Sequence, residues 1–173
     1  MVIRKERECD YNEVYELVKT SFATCARHSG EGTETADYLN EVRKKSAFIP
    51  ELSLVAESDD EKIIGQIVLY ETPIITKSGI VTQLLLSPIC VHPDYFRQGI
   101  ARSMVEAAFA KAKEMGYKAV FLCGNPELYH RLGFAPTYKF KIYHVKDNTA
   151  EWSMVRELYD NALIGTAGTV NTN

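Results

Sequence analysis

The chain has 173 residues, a net charge of −3, 46% apolar and 25% charged residues. That size and composition suit one soluble globular domain with its own core, and the charge leaves no basic footprint for nucleic acid. The four cysteines (Cys9, Cys25, Cys90, Cys123) form neither a Cys-x-x-Cys pair nor a Cys/His cluster at zinc spacing, so the expectation is no metal and free thiols in a reducing, cytoplasmic setting.

The N-terminus MVIRKERECDY is charged and unlike a signal peptide, and no apolar run approaches the roughly 20 residues that cross a membrane. Residues 2–7 read as a short strand. Asp10, with Glu13 three residues on, suggests a capped helix start, and Val14, Leu17, Val18, Phe22 and Cys25 recur at helical spacing. The polar segment ARHSGEGTE, with its two glycines, breaks that helix, and a second helix is predicted from about Thr35 to Lys45. LSLVAES and KIIGQIVLYETPII, around a turn at DDE, read as a hairpin. IVTQLLLSPICV is apolar on both faces and therefore a central strand. Ile100, Ala101, Met104, Val105, Ala108, Phe109, Ala112 and Met115 form the apolar stripe of a helix that Gly116 closes. KAVFLC is a short buried strand, so Cys90 and Cys123 are both expected in the core. NPELYHRLGF reads as a brief helix with Asn125 as cap, Pro126 first and Gly133 as terminator. Strands near 138–145 and 152–158 complete a domain over 1–164, and 165–173 read as a loose polar tail. The order β-α-α-β-β-β-α-β-α-β-β gives a mixed α/β sheet.

The corner VHPDYFRQGIARSM carries the first functional signal. A helix start leaves N–H groups unpaired and partly positive. Arg97, Gln98, Gly99, Ile100, Ala101 and Arg102 stand there: Gly99 lets a ligand approach the backbone, Ala101 is nearly as small, and the two arginines add charge. The pattern suits a pyrophosphate, although a small-residue corner packed on a strand would look the same. It matches neither G-x-G-x-x-G nor the Walker sequence. Pro88 adds a second signal. A central strand cannot spare an N–H, so LLLSPICV should bulge or lose a neighbour near Ser87 and Pro88. The backbone groups of Ile89, Cys90 and Val91 would then need a partner. An extended ligand bearing amides, followed by phosphates, meets both demands, and coenzyme A is such a molecule.

ICVHPDYFRQGIARSMVEAAFAKAKEMGYKAVFLCGNPELYHRLGF resembles the central motif of the GNAT (general N-acetyltransferase) superfamily, whose members carry Q/R-x-x-G-x-G/A at the pyrophosphate loop and commonly a tyrosine four residues before Gly-Phe. Tyr129 with Gly133 and Phe134 matches the second part. The first part is present with one departure, Phe96 in place of the leading Gln or Arg. The resemblance is strong over 84–136, thin over 20–50, and extends, through WSMVRELYDNALIGTAGTV, to a subgroup of stand-alone predicted N-acetyltransferases. It implies a GNAT-like mixed, largely antiparallel twisted sheet of about seven strands, splayed between central strands and flanked by about four helices. It implies acetyl-CoA as cosubstrate and acetyl transfer to an amine of a small molecule or protein by direct attack on the thioester. An acyl-CoA-binding sensor or partner module without turnover is the alternative, and a protein holding another nucleotide on the same loop is a third reading. The oligomeric state, a homodimer included, stays open, as do the acceptor and the acyl length.

Such a reaction needs a neutral amine, a donor for the oxyanion and a proton for the leaving thiolate. The backbone N–H groups near Ile89–Val91 are expected to polarise the thioester carbonyl. Tyr129, protonated at neutral pH, is expected to serve the sulfur, or else to pack as an ordinary helix tyrosine. Asn125 caps its helix, touches the pantetheine arm, or does both. Many relatives carry a general-base glutamate at a strand position that falls here on Leu85. Glu71 is the substitute candidate, with a water relay or a plain solvated carboxylate as the other readings. His92 is expected to serve its turn and His130 to be exposed. His28, Glu31, Glu34 and Asp37, on the segment expected to line the acceptor side, favour a cationic substrate or form a solvated face.

Overall fold

The computed structural model describes residues 1–24 and 32–172. Among these residues nine strands and four α-helices form, in the order β1 Val2–Lys5, α1 Tyr11–Ala23, α2 Thr33–Lys44, β2 Phe48–Glu57, β3 Ile63–Thr76, β4 Gly79–Val91, α3 Ile100–Glu114, β5 Ala119–Cys123, α4 Pro126–Tyr129, β6 Ala135–Pro136, β7 Ile142–His144, β8 Ser153–Glu157 and β9 Gly168–Val170. The registered pairings are antiparallel except β4–β5 and β7–β9. The expected mixed, largely antiparallel α/β class is borne out. The strands beyond the expected seven, β6 and β9, have two and three residues, too few to leave a period in the sequence.

The chain divides into two compact units: Met1–Tyr70 with Ser87–Lys111, and Glu71–Leu86 with the chain from Ala112 onward. β3 and β4 pass from one to the other. In the first unit β1 pairs with β2 from Val2↔Glu57 to Lys5↔Leu54, and β2 with β3 through Leu54↔Ile67 and Val55↔Gln66. α1 buries Val14, Leu17, Val18 and Ser21, and α2 buries Ala36, Leu39 and Val42, the i, i+3, i+4 stripes of helices lying on a core. α2 is fastened by a buried ion pair between Arg43 and Glu6. Ser53 Oγ donates to Glu6 at 2.7 Å, Arg43 donates to Asn40 at 2.6 Å, and the guanidinium lies 4.1 Å from the centre of the Tyr11 ring. A buried charge is stable only with its bonds made this completely.

The expected capping box at α1 does not form. The Asp10 carboxylate turns back to the Arg7 N–H at 2.7 Å and to Arg4 at 2.6 Å, while Glu13 accepts from the Ile63 N–H at 2.8 Å. Arg4, which also reaches Glu57 at 2.7 Å, is a stronger partner than a helix N–H. It holds the Asp10 carboxyl below the usual carboxylate range.

In the second unit β4 runs parallel to β5 through Leu84↔Val120 and Leu85↔Phe121, β5 pairs with β8, and β8 with β6. Gln83 Oε1 accepts from the N–H groups of Lys118 and Ala119 at 2.9 and 3.0 Å and so fixes where β5 starts. The region read as a loose tail contains β9, which pairs with β3 (Ile74↔Val170) and with β7 (Ile142↔Gly168). A Cβ at Gly168 would lie 2.3 Å from the Ile75 carbonyl oxygen, so only glycine admits this close pairing. Strand β7 begins at Ile142 rather than 138, because Thr137–Phe140 forms a 3-10 turn.

Candidate functional site

The loop Phe96–Gly99 and the start of α3 belong to the first unit. His92 holds the approach: its N–H donates to the Ile64 carbonyl at 2.8 Å and its Nδ1 accepts from the Asp94 N–H at 3.3 Å, which is the expected turn role. A 3-10 turn over Pro93–Tyr95 follows, and the Phe96 N–H donates to the Pro93 carbonyl. Then Arg97 (φ 63) and Gly99 (φ 79) adopt the left-handed conformation. Left-handed residues in a turn are one way the backbone aims successive N–H groups to one side, as a concavity for an anion requires. The Gly99 carbonyl accepts from the Ser103 N–H at 3.0 Å and its Oγ at 3.3 Å, so the helix begins there. The N–H groups of Ile100, Ala101 and Arg102 precede the first intrahelical bond. A Cβ placed on Gly99 would meet nothing within 4 Å, so the space over the loop is open. Arg97, Gln98, Gly99 and Arg102 are exposed, Ala101 is half-buried and Ile100 is buried. Phe96, the residue that departs from the family pattern, is 51% exposed. The turn closes through backbone bonds and does not use its side chain.

The same unit holds Ile89, Cys90 and Val91 at the end of β4, after a cis Ser87–Pro88 bond. The Val91 carbonyl accepts from Ser21 Oγ of α1 at 3.1 Å. Ser21 was missed by sequence reasoning, although a polar residue three after Val18 on a buried helical stripe is a readable signal. The Cys90 thiol is buried and pushed up to about 12, chiefly by desolvation. The Cys123 thiol is likewise raised by burial, yet Cys123 is exposed at the end of β5, contrary to the expectation of a core position. Neither is a thiolate at neutral pH, which removes the form that attacks a thioester.

In the second unit Asn125 caps α4, its Oδ1 accepting from the Glu127 N–H at 3.2 Å, and Pro126 occupies the first position. Tyr129 is half-buried. Its ring meets that of Phe134 edge-on at 5.7 Å, and its carbonyl accepts from the Phe134 N–H at 3.1 Å. The ring also lies so close over Gly124 that a Cβ there would sit 2.2 Å from it. These three contacts fix the ring and explain the spacing of the tyrosine from Gly133-Phe134. His130 is exposed, and its Nδ1 lies 2.9 Å from the Phe134 carbonyl oxygen.

Glu71 is not brought to Tyr129. Its Oε1 accepts from the Tyr117 hydroxyl at 2.7 Å. Tyr117 precedes β5 and the Tyr129 ring lies on Gly124 after it, so five residues of strand, about 16 Å, separate the two anchoring points. Desolvation and Glu71 together raise Tyr117 to about 12. Leu84, Leu85 and Leu86 are buried. Of the acceptor-side candidates, His28 and Glu31 lie outside the described residues. Glu34 is exposed, and Asp37 accepts from the Tyr15 hydroxyl at 3.0 Å. Among the described residues no helix is long and apolar enough to cross a membrane, and no group of three or more His, Cys, Asp or Glu is placed to hold a metal.

Residues 2–137 match the family model of an acetyltransferase (GNAT) domain. The chain is 29% identical over 170 residues, 98% of its length and 95% of the relative's, to YhbS of Escherichia coli strain K12, an uncharacterized N-acetyltransferase. The crystal structure of a GNAT-family N-acetyltransferase (YhbS) from Escherichia coli in complex with CoA superposes with a TM-score of 0.83 at 26% identity, covering 99% of this chain and 89% of that one. A GNAT-family acetyltransferase from Brucella melitensis in complex with acetyl-CoA gives 0.67 at 26% identity, covering 77% and 81%.

Proposed function

Because the chain belongs to the GNAT acetyltransferase family, we propose that it transfers the acetyl group of acetyl-CoA to an amine by direct attack. The observation that carries this reading is the pair of left-handed residues, Arg97 and Gly99, ahead of α3, with open space over Gly99. The CoA and acetyl-CoA complexes of the two relatives support it. In this reading the N–H groups from Gln98 to Arg102 take the pyrophosphate, and Arg97 and Arg102 add charge. Ile89 and Val91 offer backbone groups to the pantetheine amides and the thioester carbonyl, and Ser21 holds the Val91 carbonyl in place. Asn125 shapes the turn that presents Tyr129.

The amine nitrogen bonds to the thioester carbonyl carbon, the C–S bond breaks with its electron pair on sulfur, and the products are an acetamide and the CoA thiol. Tyr129 supplies the proton to sulfur and is reprotonated from water. The proton lost by the amine goes to water as well, since Glu71 is bound to Tyr117 at the far end of β5. Acid assistance of this kind contributes about 10²–10⁴-fold.

The test is release of CoA thiol from acetyl-CoA across a panel of amines. The expected result is amine-dependent release with one acetylated amine per thiol. Binding of acetyl-CoA with no amine-dependent release from any amine would favour the sensor alternative, which the absent strand carboxylate keeps in view.

A further inference from the structure

A sheet with one solvated face alternates buried apolar residues with exposed polar ones. The outer part of the sheet in the second unit departs from that rule. β9 sets Thr169 opposite both Ile75 of β3 and Tyr143 of β7, so these three side chains share one face. One residue along, Val170 stands opposite Ile74 and His144, and all three are buried together with Ile142. The inner face is therefore filled in the ordinary way. The outer face is apolar as well. The two-residue loop between β3 and β4 places Ile80 opposite Ile75. Pro73 and Val145, two residues along from Ile75 and Tyr143, continue the same face, and the Val145 N–H still donates to the Val170 carbonyl at 3.1 Å. Ile75, Ile80, Tyr143 and Val145 are 50%, 69%, 39% and 55% exposed, and Pro73 is exposed too.

Apolar residues exposed singly are ordinary, but a contiguous group of them marks a contact surface. At roughly 150–250 Å² for a large side chain, the four exposures amount to about 400 Å², and Pro73 with the Thr169 methyl brings the face to about 500 Å². A homodimer of standard size buries about 800 Å² on each partner, about 65% of it apolar. This one face therefore supplies nearly the whole apolar share of such an interface.

The chemistry of the face suits its own copy. The chain carries a net charge of −3, so two copies repel each other and associate best where no charge is buried. Pro73, Ile75, Ile80, Tyr143, Val145 and Thr169 carry none, and they offer nothing to a partner selected by charge. A two-fold contact sets a row of residues against the same row reversed. The hydroxyls of Tyr143 and Thr169 each donate and accept, so each can meet its own copy.

We propose that this face of β3, β4, β7 and β9 packs on the same face of a second copy, sheet on sheet about a two-fold axis, and makes the protein a homodimer. The proposal stands apart from the acetyltransferase reading and holds whether or not the chain turns over acetyl-CoA.

The full chain is compared with Ile80→Lys, Val145→Lys and Val2→Lys by sedimentation velocity and thermal unfolding from about 1 to 100 µM. Val2 of β1, 59% exposed, is the control off the face. The parent should sediment as a dimer at about 50 µM, and its unfolding temperature should rise by a few degrees across the concentration range. Each face variant should weaken dimerisation at least about tenfold, because the two-fold axis buries the new charge twice. Each should also flatten the concentration dependence of unfolding while keeping the far-ultraviolet circular dichroism of the parent. Val2→Lys should behave as the parent does. If one face variant misfolds, the other, on a different strand, decides. A parent still monomeric at about 100 µM, a dimer that survives both face variants, or equal dissociation by Val2→Lys would overturn the proposal.

Discussion

In the proposed reaction the loop ahead of α3 and the corner at Tyr129 contribute in opposite ways. The loop works through backbone: Arg97 and Gly99 turn the chain left-handed, and the side chain of Phe96 leans into solvent. The corner works through one side chain, whose ring is fixed by Gly124, Phe134 and the turn that Asn125 starts. A backbone site tolerates substitution wherever the turn still closes. A side-chain site tolerates none at the reacting atom. That difference explains why the family's pattern can be broken at residue 96 while the spacing from Tyr129 to Gly133-Phe134 is kept.

The comparison is broken most severely by removing one oxygen. Tyr129→Phe should lower kcat by about 10²-fold or more and leave the affinity for CoA within a factor of two or so, as read by steady-state kinetics beside calorimetry. An unchanged kcat would take the acid role from Tyr129. Gly99→Val should do the reverse. It should weaken CoA binding by about tenfold or more, since the new side chain occupies open space over the loop. Its stability cost should stay at about 1–2 kcal/mol, because no protein atom lies in the way and only the left-handed backbone is strained. Equal loss of stability and of binding would mean the glycine serves packing.

Smaller effects sharpen the contrast. Phe96→Gln, which restores the family residue, should change CoA affinity by less than about threefold, because the turn already closes through backbone bonds. Glu71→Gln should alter turnover least of all and leave the pH–rate profile in place. Desolvation, and after it the Glu71 bond, raises the Tyr117 phenol above the usual value of about 10. That contact therefore stabilises the fold below pH 10 and loses its effect as pH climbs toward 12, outside the range of the assay. A lost basic limb in the Glu71→Gln profile would return Glu71 to the reaction.

Much of this was legible in the sequence because it is written in strong local signals. The α3 stripe ends at Gly116, Asn125-Pro126 opens α4, and the hairpin of β2 and β3 turns at Asp59-Asp60-Glu61. Each is a feature of a few residues with its own turn or capping chemistry. What was not legible depends on partners distant in the chain. Asp10 looks like a helix cap until Arg4 and Glu57 are known to lie beside it. Glu71 looks available until Tyr117, 46 residues later, is seen to hold it. Strand β9 has one buried apolar residue, Val170, and exists because β3 and β7 supply ladders to it. Gln66 stands out in KIIGQIVLY as a polar residue within an apolar run. That its side chain is buried without a hydrogen-bond partner among the described residues can be learned only from the packing around it.

The most direct test of the central claim, that the chain is built to hold CoA at the α3 loop, is thermal unfolding with CoA, acetyl-CoA and ATP in turn. Each CoA ligand at about 100 times its Kd should add roughly 2.7 kcal/mol, a rise of about 5–10 °C for a chain of this size, with ATP giving much less. Stabilisation by ATP alone would contradict the account.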